Sequence, residues 1–444
     1  MRVSDRLDGL PLGRFHYRLL ILSGLGWLFD SMDTGLVSFV LARLKTEWDL
    51  SAGQIGMTCS AGLAGMFLGG AFAGSLADRY GRKAVFQWTL LIFSLATGLC
   101  ALAWGFESLV VLRLLVGIGL GGELPVAAAL VSEFAPARHR GRIVVLLESF
   151  WAIGWVAAAI LADRLANWGA SSGGFPWRVA FLIGALPALY VFILRRSLPE
   201  SPRYLVARGR TAEAEEIVRR VEAESGVPHG EAITPEPAAP AARRRELVGR
   251  GLARRTAMLW TLWFAMAFSY YGMFIWLPSL LVGEGFTVAA SFRFILYITL
   301  AQIPGYFTAA WLVERIGRRV TLAPFMILCA VASWFFGHAA SAPQLIVWGC
   351  LVSFCNLGAW GVTYGYTPEL YPTRLRGTGS GTAAAVGRVG AVLAPLAVGW
   401  IVTSRGGGFG AIFAMFAAVL VIGALGVLLL GEETRGRTLE QISG

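Results

Sequence analysis

Residues 74–83 read Gly74-Ser75-Leu76-Ala77-Asp78-Arg79-Tyr80-Gly81-Arg82-Lys83, and residues 310–319 read Ala310-Trp311-Leu312-Val313-Glu314-Arg315-Ile316-Gly317-Arg318-Arg319. Acid, arginine, glycine and arginine recur in the same order at a shift of 314 − 78 = 236. A second pair of stretches keeps that shift: Glu133 to Gly141 (EFAPARHRG) and Glu369 to Gly377 (ELYPTRLRG), with 369 − 133 = 236. Two separate motifs at one offset indicate an internal duplication. Each motif follows a long apolar stretch, so the duplicated unit is a set of apolar segments with polar connections.

Of 444 residues 56% are hydrophobic and only 15% charged. The apolar residues form twelve blocks, roughly 18–40, 54–77, 84–104, 108–133, 141–163, 176–196, 256–282, 290–313, 320–338, 343–367, 375–400 and 408–430. Blocks this long cross a ~30 Å hydrocarbon core as helices, whereas barrel strands would show segments of about ten residues with alternating polarity. The expected fold class is an all-α membrane protein of twelve transmembrane helices in two pseudo-symmetric six-helix bundles. An N-terminal bundle over 1–196, a cytoplasmic interdomain loop over 197–255 and a C-terminal bundle over 256–444 with a short tail follow from the repeat. Parallel repeats of this kind build carriers with a site at the membrane midplane. Arg2, Arg6, Arg14 and Arg18 before the first block imitate a signal peptide, but the block is too long and carries two acids, so it is expected to remain as a span.

Thirty Lys and Arg residues fall on the side of the N-terminus and six, Arg43, Lys45, Arg164, Arg178, Arg293 and Arg405, on the other. The positive-inside rule then places both termini in the cytoplasm. The net charge of +11 reflects that topology and contact with the anionic lipid bilayer surface, with no reason to infer nucleic-acid binding. Only 2 of the 38 basic residues are lysine, a bias of GC-rich bacterial genomes that suggests a cell inner (plasma) membrane. Cys59, Cys100, Cys329, Cys350 and Cys355 all lie in apolar blocks without metal or redox spacing and read as small packing residues. No cofactor, metal, nucleophile or phosphate-binding motif is legible, so the chain is not expected to be an enzyme. Gly117, Gly119, Gly121 and Gly122 read as close helix packing.

The repeated motifs have a readable physics. Asp78 closes an apolar block, and Arg79, a tight turn at Gly81 and Arg82 follow; beyond the repeat shift stand Glu314, Arg315, Gly317 and Arg318. Gly74 opens the first copy. Such a cluster pairs with a neighbouring helix terminus in one conformation and separates in another, and Glu133 with Arg138 and Arg140, or Glu369 with Arg374 and Arg376, are the natural partners. A short loop that merely collects Arg and Gly is the bland reading, and two copies in register favour a conformational latch. In the loop between the halves, Thr211 to Ser225 is helical in pattern and Ile233 to Ala242 is rich in Pro and Ala.

Six ionisable residues lie well inside the blocks: Asp30, Asp33, Arg113, Glu123, Glu148 and Arg388. A carboxylate at the bilayer centre costs at least ~2.5 kcal/mol, so these residues form a functional-site hypothesis. Four acids face two bases; burial disfavours a fully ionised set and leaves an acid able to take a proton. Asp33 lies about seven residues below the outer end of its block and Arg113 about five below that of its own, within a helical turn of one depth. An Asp33 to Arg113 pair that loosens when Asp33 takes a proton is expected, with a permanent pair that only orders the bundle as the alternative. Asp30 precedes Asp33 by three and faces the same side. Arg388, near the midplane of the second half, wants a carboxylate, from the substrate or from Glu148 or Asp30. Trp151, Trp155, Tyr270, Tyr271, Phe274, Trp360 and Tyr364 cluster at matching depth, with Gln302 and Asn356 as neutral polar groups. That set suits a flat ring bearing a carboxylate better than a polyhydroxylated sugar.

Gly74 to Lys83 and its copy resemble the signature loop of the major facilitator superfamily, and the resemblance covers essentially the whole chain. Pro199-Glu-Ser-Pro-Arg-Tyr-Leu205 and Glu433-Thr-Arg-Gly-Arg-Thr-Leu-Glu440 resemble marks of sugar porters and related organic-ion carriers, which carry a comparable acid and arginine on the helices of Asp33 and Arg113. Asp30-Ser-Met-Asp33 is similar to the paired aspartates of aromatic acid:proton symporters, without their glycine. Phe29 to Phe39, Gly121 to Val126, Leu147 to Gly154 and Tyr270 to Pro278 resemble bacterial niacin permeases. That resemblance implies nicotinate as substrate.

The expected protein is a monomeric carrier working by alternating access that takes up a small aromatic monocarboxylate with a proton. Asp30 or Asp33 carries the proton with Glu123 and Glu148 as further candidates, Arg113 responds, Arg388 holds the carboxylate and the aromatics sandwich the ring. A sugar carrier is the nearest competitor, and a non-transporting ligand sensor is the competitor from another class.

Overall fold

Every apolar block becomes helix, and most overrun their apolar limits, because the backbone ladder continues into the polar ends until a cap or turn stops it. The structure, a computed structural model, describes residues 3–136, 139–170, 175–228, 230–233, 244–249, 251–372, 375–405 and 408–435. A short helix α1 (Val3–Asp8) precedes the first span α2 (Arg14–Glu47). Then come α3 (Ala52–Tyr80), α4 (Arg82–Cys100), α5 (Phe106–Phe134) and α6 (Arg140–Ala170). The sixth span is split into α7 (Trp177–Gly184) and α8 (Pro187–Ser197). Helices α9 (Pro202–Ala207) and α10 (Thr211–Glu224) belong to the interdomain loop. The second half begins with α11 (Ala253–Gly283), has a split eighth span in α12 (Val288–Leu300) and α13 (Gln302–Ile316), and closes with α14 (Arg318–Gly337), α15 (Ala342–Glu369), α16 (Arg376–Arg405) and α17 (Phe409–Leu430). Among the described residues twelve spans are long and apolar enough to cross a membrane, and the chain is a multi-pass membrane protein.

Starts, stops and breaks have local causes. Ser51 and Gln54 cap α3 reciprocally, Ser51 Oγ accepting from Gln54 N at 3.2 Å and Gln54 Oε1 from Ser51 N at 2.9 Å. Between α3 and α4, and again between α13 and α14, the chain turns through Gly81 (φ +100°) and Gly317 (φ +103°), left-handed conformations that favour glycine. Pro187 has no N–H for the Ile183 carbonyl, and Leu186 N tightens onto that carbonyl at 3.1 Å, which splits the sixth span. Pro304 likewise cannot bond the Leu300 carbonyl, and Ala301 N turns onto Ile298 O at 3.3 Å, which splits the eighth.

The duplication is visible in the packing. In the first half α3 lies on α5, α4 on α5 and α2 on α6; in the second α13 lies on α15, α14 on α15 and α11 on α16. The α3–α5 contact is backbone on backbone, since a Cβ at Gly117 would collide with the Gly62 carbonyl, one at Gly65 with that of Leu114 and one at Gly69 with that of Ile118. The glycine run on α5 is thus close helix packing. Phe72, Trp104, Phe192 and Leu429 are more than half exposed on the outer surface, where lipid is the solvent.

The two halves meet unevenly. On the side away from the termini, Ser60 Oγ donates to Val392 O at 2.7 Å, a Cβ at Gly56 would lie 2.7 Å from Pro395 O, and one at Gly399 would lie 2.8 Å from Ala52 O. Phe292 packs on Phe39 and Phe175 with centroids at 4.7 and 5.3 Å, and Arg293 Nε stands 3.7 Å from Asp163 Oδ1. Toward the termini the same faces of α3 and α16 continue through Gly74, Gly381 and Gly377, yet a Cβ at any of these would meet nothing within 4 Å. These faces of α3 and α16 therefore touch on the far side and stand apart at the glycines toward the termini, with Gly70 against Arg388 between the two regions.

The interdomain loop docks on the terminus side. Arg6, only 4% exposed, inserts from α1 onto α10, with Nη2 on Glu222 Oε2 at 2.7 Å and Nη1 on Glu215 Oε1 at 2.8 Å. Ala214, Val218 and Val221 form the buried face of α10. Of the Pro/Ala-rich stretch only Ile233 lies within the described residues.

Candidate functional site

Asp33 sits in a buried polar cluster inside the first half, and both of its carboxyl oxygens receive a donor. Arg113 Nη1 donates to its Oδ2 at 3.0 Å and Thr97 Oγ1 donates to its Oδ1 at 2.6 Å. Arg113 Nη2 reaches Cys100 Sγ at 3.2 Å, and its guanidinium lies 5.0 Å from the Phe181 ring centroid. The pair expected from helix depth is thus formed in this conformation. A cavity of about 30 Å³ adjoins it, bounded by Asp33, Thr34, Thr58, Cys59 and Arg113, large enough for a water.

One turn away, Asp30 is the opposite case. It faces Glu123 of α5, both residues are wholly buried, and none of their four carboxyl oxygens has a hydrogen-bond partner among the described residues. Two carboxylates hold only acceptors, so the hydrogen that could join them is a proton on one of them. Side-chain direction explains the meeting. Cβ atoms lean toward the N-terminus of their helix, so Asp30 leans toward the terminus side on α2 while Glu123 leans toward the far side on α5. Gly26 supplies the room: a Cβ there would collide with Glu123 Oε1 and lie 2.8 Å from Phe86 Cζ. Glu148 is 2% exposed on α6 beside Trp27.

The aromatic residues gather around Tyr270 at the junction of the halves. Trp151 Nε1 donates to the Tyr270 hydroxyl at 2.6 Å. Ring centroids of Phe274, Tyr271, Trp155 and Trp360 stand 4.9, 5.3, 6.2 and 6.3 Å from that of Tyr270. Trp360 stacks on Tyr364 at 5.6 Å. Gln302, the first residue of α13, lies beside Tyr270. Asn356 is not brought to this cluster; its Nδ2 donates to Ser269 Oγ at 3.2 Å and ties α15 to α11. Three aromatic residues that the sequence reading passed over join it. Trp27 packs on Trp151 at 4.6 Å, Trp263 on Tyr364 at 5.0 Å, and Tyr306 is buried one turn after Gln302. The signal for Tyr306 was its i+4 spacing from Gln302.

Arg388 makes no ion pair with Glu148 or Asp30 among the described residues. Its guanidinium reaches across to the first half and donates to the Met66 carbonyl and, at 3.2 Å, to that of Gly121. Gly70 leaves the space, since a Cβ there would fall on Nη1. Tyr271, Tyr364 and Asp30 are its electrostatic neighbours. No group of three or more His, Cys, Asp or Glu placed to hold a metal occurs among the described residues.

The repeated motifs form two closed clusters, one in each half. Arg82 pairs with Asp78 at 2.9 Å and with Glu133 at 3.4 Å, while Arg318 pairs with Glu369 at 2.8 Å. Glu314, the counterpart of Asp78, makes no ion pair within 4 Å among the described residues. Arg315 lies over Trp311 at 4.2 Å, and Arg79 over Tyr80 at 5.3 Å. Arg376 Nε donates to Pro368 O at 3.0 Å; Arg138, Arg374 and the Arg140 side chain lie outside the described residues. The sequence reading missed the carboxylates that complete the clusters. Glu200 Oε1 accepts from Arg82 N at 2.9 Å, capping α4, and Glu433 Oε1 accepts from Arg318 N at 2.9 Å, capping α14. Ser201 donates to Glu133, and Thr434 donates to Glu369 at 2.6 Å. Burial pushes the Glu433 carboxyl up, but backbone N–H donors from Arg318, Arg435, Val320 and Thr434 outweigh it and hold the group below its usual 4.5.

The sequence model of the family described as sugar (and other) transporter matches residues 28–444. The chain belongs to that family. It is 49% identical to the niacin transporter NiaP of Acinetobacter baylyi over the full length of both, and 44% identical to the putative niacin/nicotinamide transporter NiaP of Bacillus subtilis over 95% of this chain and 98% of that one. The synaptic vesicle 2-related protein of Rattus norvegicus is 30% identical over 99% of this chain and 82% of its own. Among solved structures, the xylose transporter XylE from E. coli in a partially occluded inward open conformation superposes with a TM-score of 0.77 at 19% identity, covering 96% of this chain and 99% of that one. At that identity the likeness is one of fold, the major facilitator fold. As a member of this family the chain is a membrane transporter of small molecules, not an enzyme.

Proposed function

We propose that the protein takes up nicotinate with a proton across a bacterial inner membrane, as a monomer with both termini cytoplasmic. The observation that carries the reading is a cage of aromatic faces with the half-buried guanidinium of Arg388 at its edge, beside Tyr271 and Tyr364, in a chain 49% identical end to end to a niacin transporter. A flat ring is held by Tyr270, Tyr271, Phe274, Trp151, Trp155, Trp360 and Tyr364, and its carboxylate by the Arg388 fork. With the termini inside, the parted side faces the cytoplasm and the conformation is inward-facing. Arg388 then rests on the Met66 and Gly121 carbonyls, a resting place for the guanidinium once the substrate carboxylate has left.

The proton resides between Asp30 and Glu123, where it supplies the only hydrogen bond the pair can make. Its departure leaves two carboxylates face to face, and their repulsion biases the halves away from this arrangement. The Asp33–Arg113 pair orders the first half through each cycle, and the Arg82 and Arg318 clusters act as latches that change partners when the cytoplasmic side closes. The deciding experiment is uptake into proteoliposomes. An inside-alkaline pH gradient should concentrate nicotinate, and Asp30→Asn should abolish that accumulation while leaving exchange. Uptake of hexoses in place of nicotinate, or binding without flux, would overturn the reading.

A further inference from the structure

The aromatic cage carries an amide with nothing to do. Gln302 is 0% exposed, and neither its Nε2 nor its Oε1 has a hydrogen-bond partner among the described residues. It also stands at a built position, the residue that restarts the eighth span after the break at Ala301 imposed by Pro304. Resting on the nicotinate reading, we propose that Gln302 is the specificity-determining residue that recognises the ring nitrogen, donating its amide N–H to the pyridine lone pair while Arg388 holds the carboxylate.

The polar atoms around it set the direction of that hydrogen bond. Trp151 Nε1 already donates to the Tyr270 oxygen at 2.6 Å. The tyrosine proton is thereby available to the neighbouring Gln302, whose oxygen can accept it when a ligand takes the NH₂ end. A pyridine stacked between aromatic faces exposes polar atoms only at its edge, where the nitrogen lone pair lies in the ring plane and accepts from such a donor. Gln302 and Arg388 belong to the same half, so nitrogen and carboxylate are read against one frame while the first half moves. Benzoate has the same ring, charge and carboxylate but a C–H at that edge, and its binding seals the amide in the cage unpaired. A site built to bond a ligand atom rejects the analogue that lacks it.

The test is competitive binding of nicotinate, benzoate and the two isomers with the ring nitrogen at position 2 or 4, measured on the full-length protein in detergent. The unaltered protein is expected to favour nicotinate over all three by about tenfold or more. Gln302→Leu should bring the nicotinate to benzoate ratio close to one by weakening nicotinate alone. A ratio that survives Gln302→Leu overturns the assignment, as does equal weakening of both ligands. If Gln302→Leu and Gln302→Met both fail to fold, the isomer series on the unaltered protein decides, and equal affinity for all four compounds overturns the proposal. Binding of none of the four removes the nicotinate reading itself, and this inference with it.

Discussion

Two carboxylates one helical turn apart on α2 live in opposite circumstances. Asp33 receives two donors, one from Thr97 and one from Arg113, whereas Asp30 faces another acid and receives none among the described residues. The same helix thus holds, at nearly equal burial, one acid in an ion pair and one set against a second acid. In the proposed mechanism the ion pair makes Asp33 a structural anchor, and the facing acid makes Asp30 the place where a proton is held. The difference comes from the neighbouring helix: α5 presents Arg113 at one level and Glu123 at the other.

The largest effect that sharpens this comparison is expected at the anchor. Arg113→Ala leaves Asp33 buried without its counterion and should cost about 3–5 kcal/mol, read as a fall in Tm in detergent. Adding Asp33→Asn should restore most of the loss; a double variant no more stable than the single one would show that Arg113 acts by packing alone. Next comes Gly26→Ala. The added Cβ occupies the space of Glu123 Oε1 and should cost about 1–3 kcal/mol as overpacking, with loss of nicotinate uptake. A Gly26→Ala protein of full stability and activity would mean that the carboxyl pair is not held as described.

The asymmetry between the two acids also marks how far the sequence could be read. Helix number, the duplication and the Asp33–Arg113 pair were legible because they rest on apolar length and on depth counted along single helices. Depth did not find Asp30 with Glu123. Glu123 lies ten residues beyond Arg113, about 15 Å along α5, while Asp30 lies three from Asp33, about 4.5 Å along α2. The lean of both side chains and the notch at Gly26 close that gap, and neither is visible to residue counting. For Arg388 the sequence pointed to a carboxylate, of the substrate or of Glu148 or Asp30, and gave no signal that backbone carbonyls of the opposite half lie within its reach. Glu200 and Glu433 escaped for a plainer reason: their separation, 433 − 200 = 233, differs from the repeat shift of 236.

A smaller change in stability with a large change in coupling is expected from Glu123→Gln. The amide gives Asp30 a permanent N–H donor, so folding should change by no more than about 1 kcal/mol. Uptake should lose its response to a pH gradient while nicotinate binding persists, and a gradient response equal to that of the unaltered protein would move the proton to another acid. The smallest effect belongs to the caps outside the membrane. Glu433→Gln removes a charge from the start of α14 and should cost about 0.3–1 kcal/mol. Because the folded-state value of this carboxyl is depressed, its contribution is fully present above the ordinary carboxylate value and is lost as the pH falls through the depressed one. The unaltered protein and Glu433→Gln should therefore converge in Tm at acid pH and separate toward neutral. A gap in Tm that stays constant across that range would show that the glutamate stabilises the turn at Gly317 by shape and not by charge.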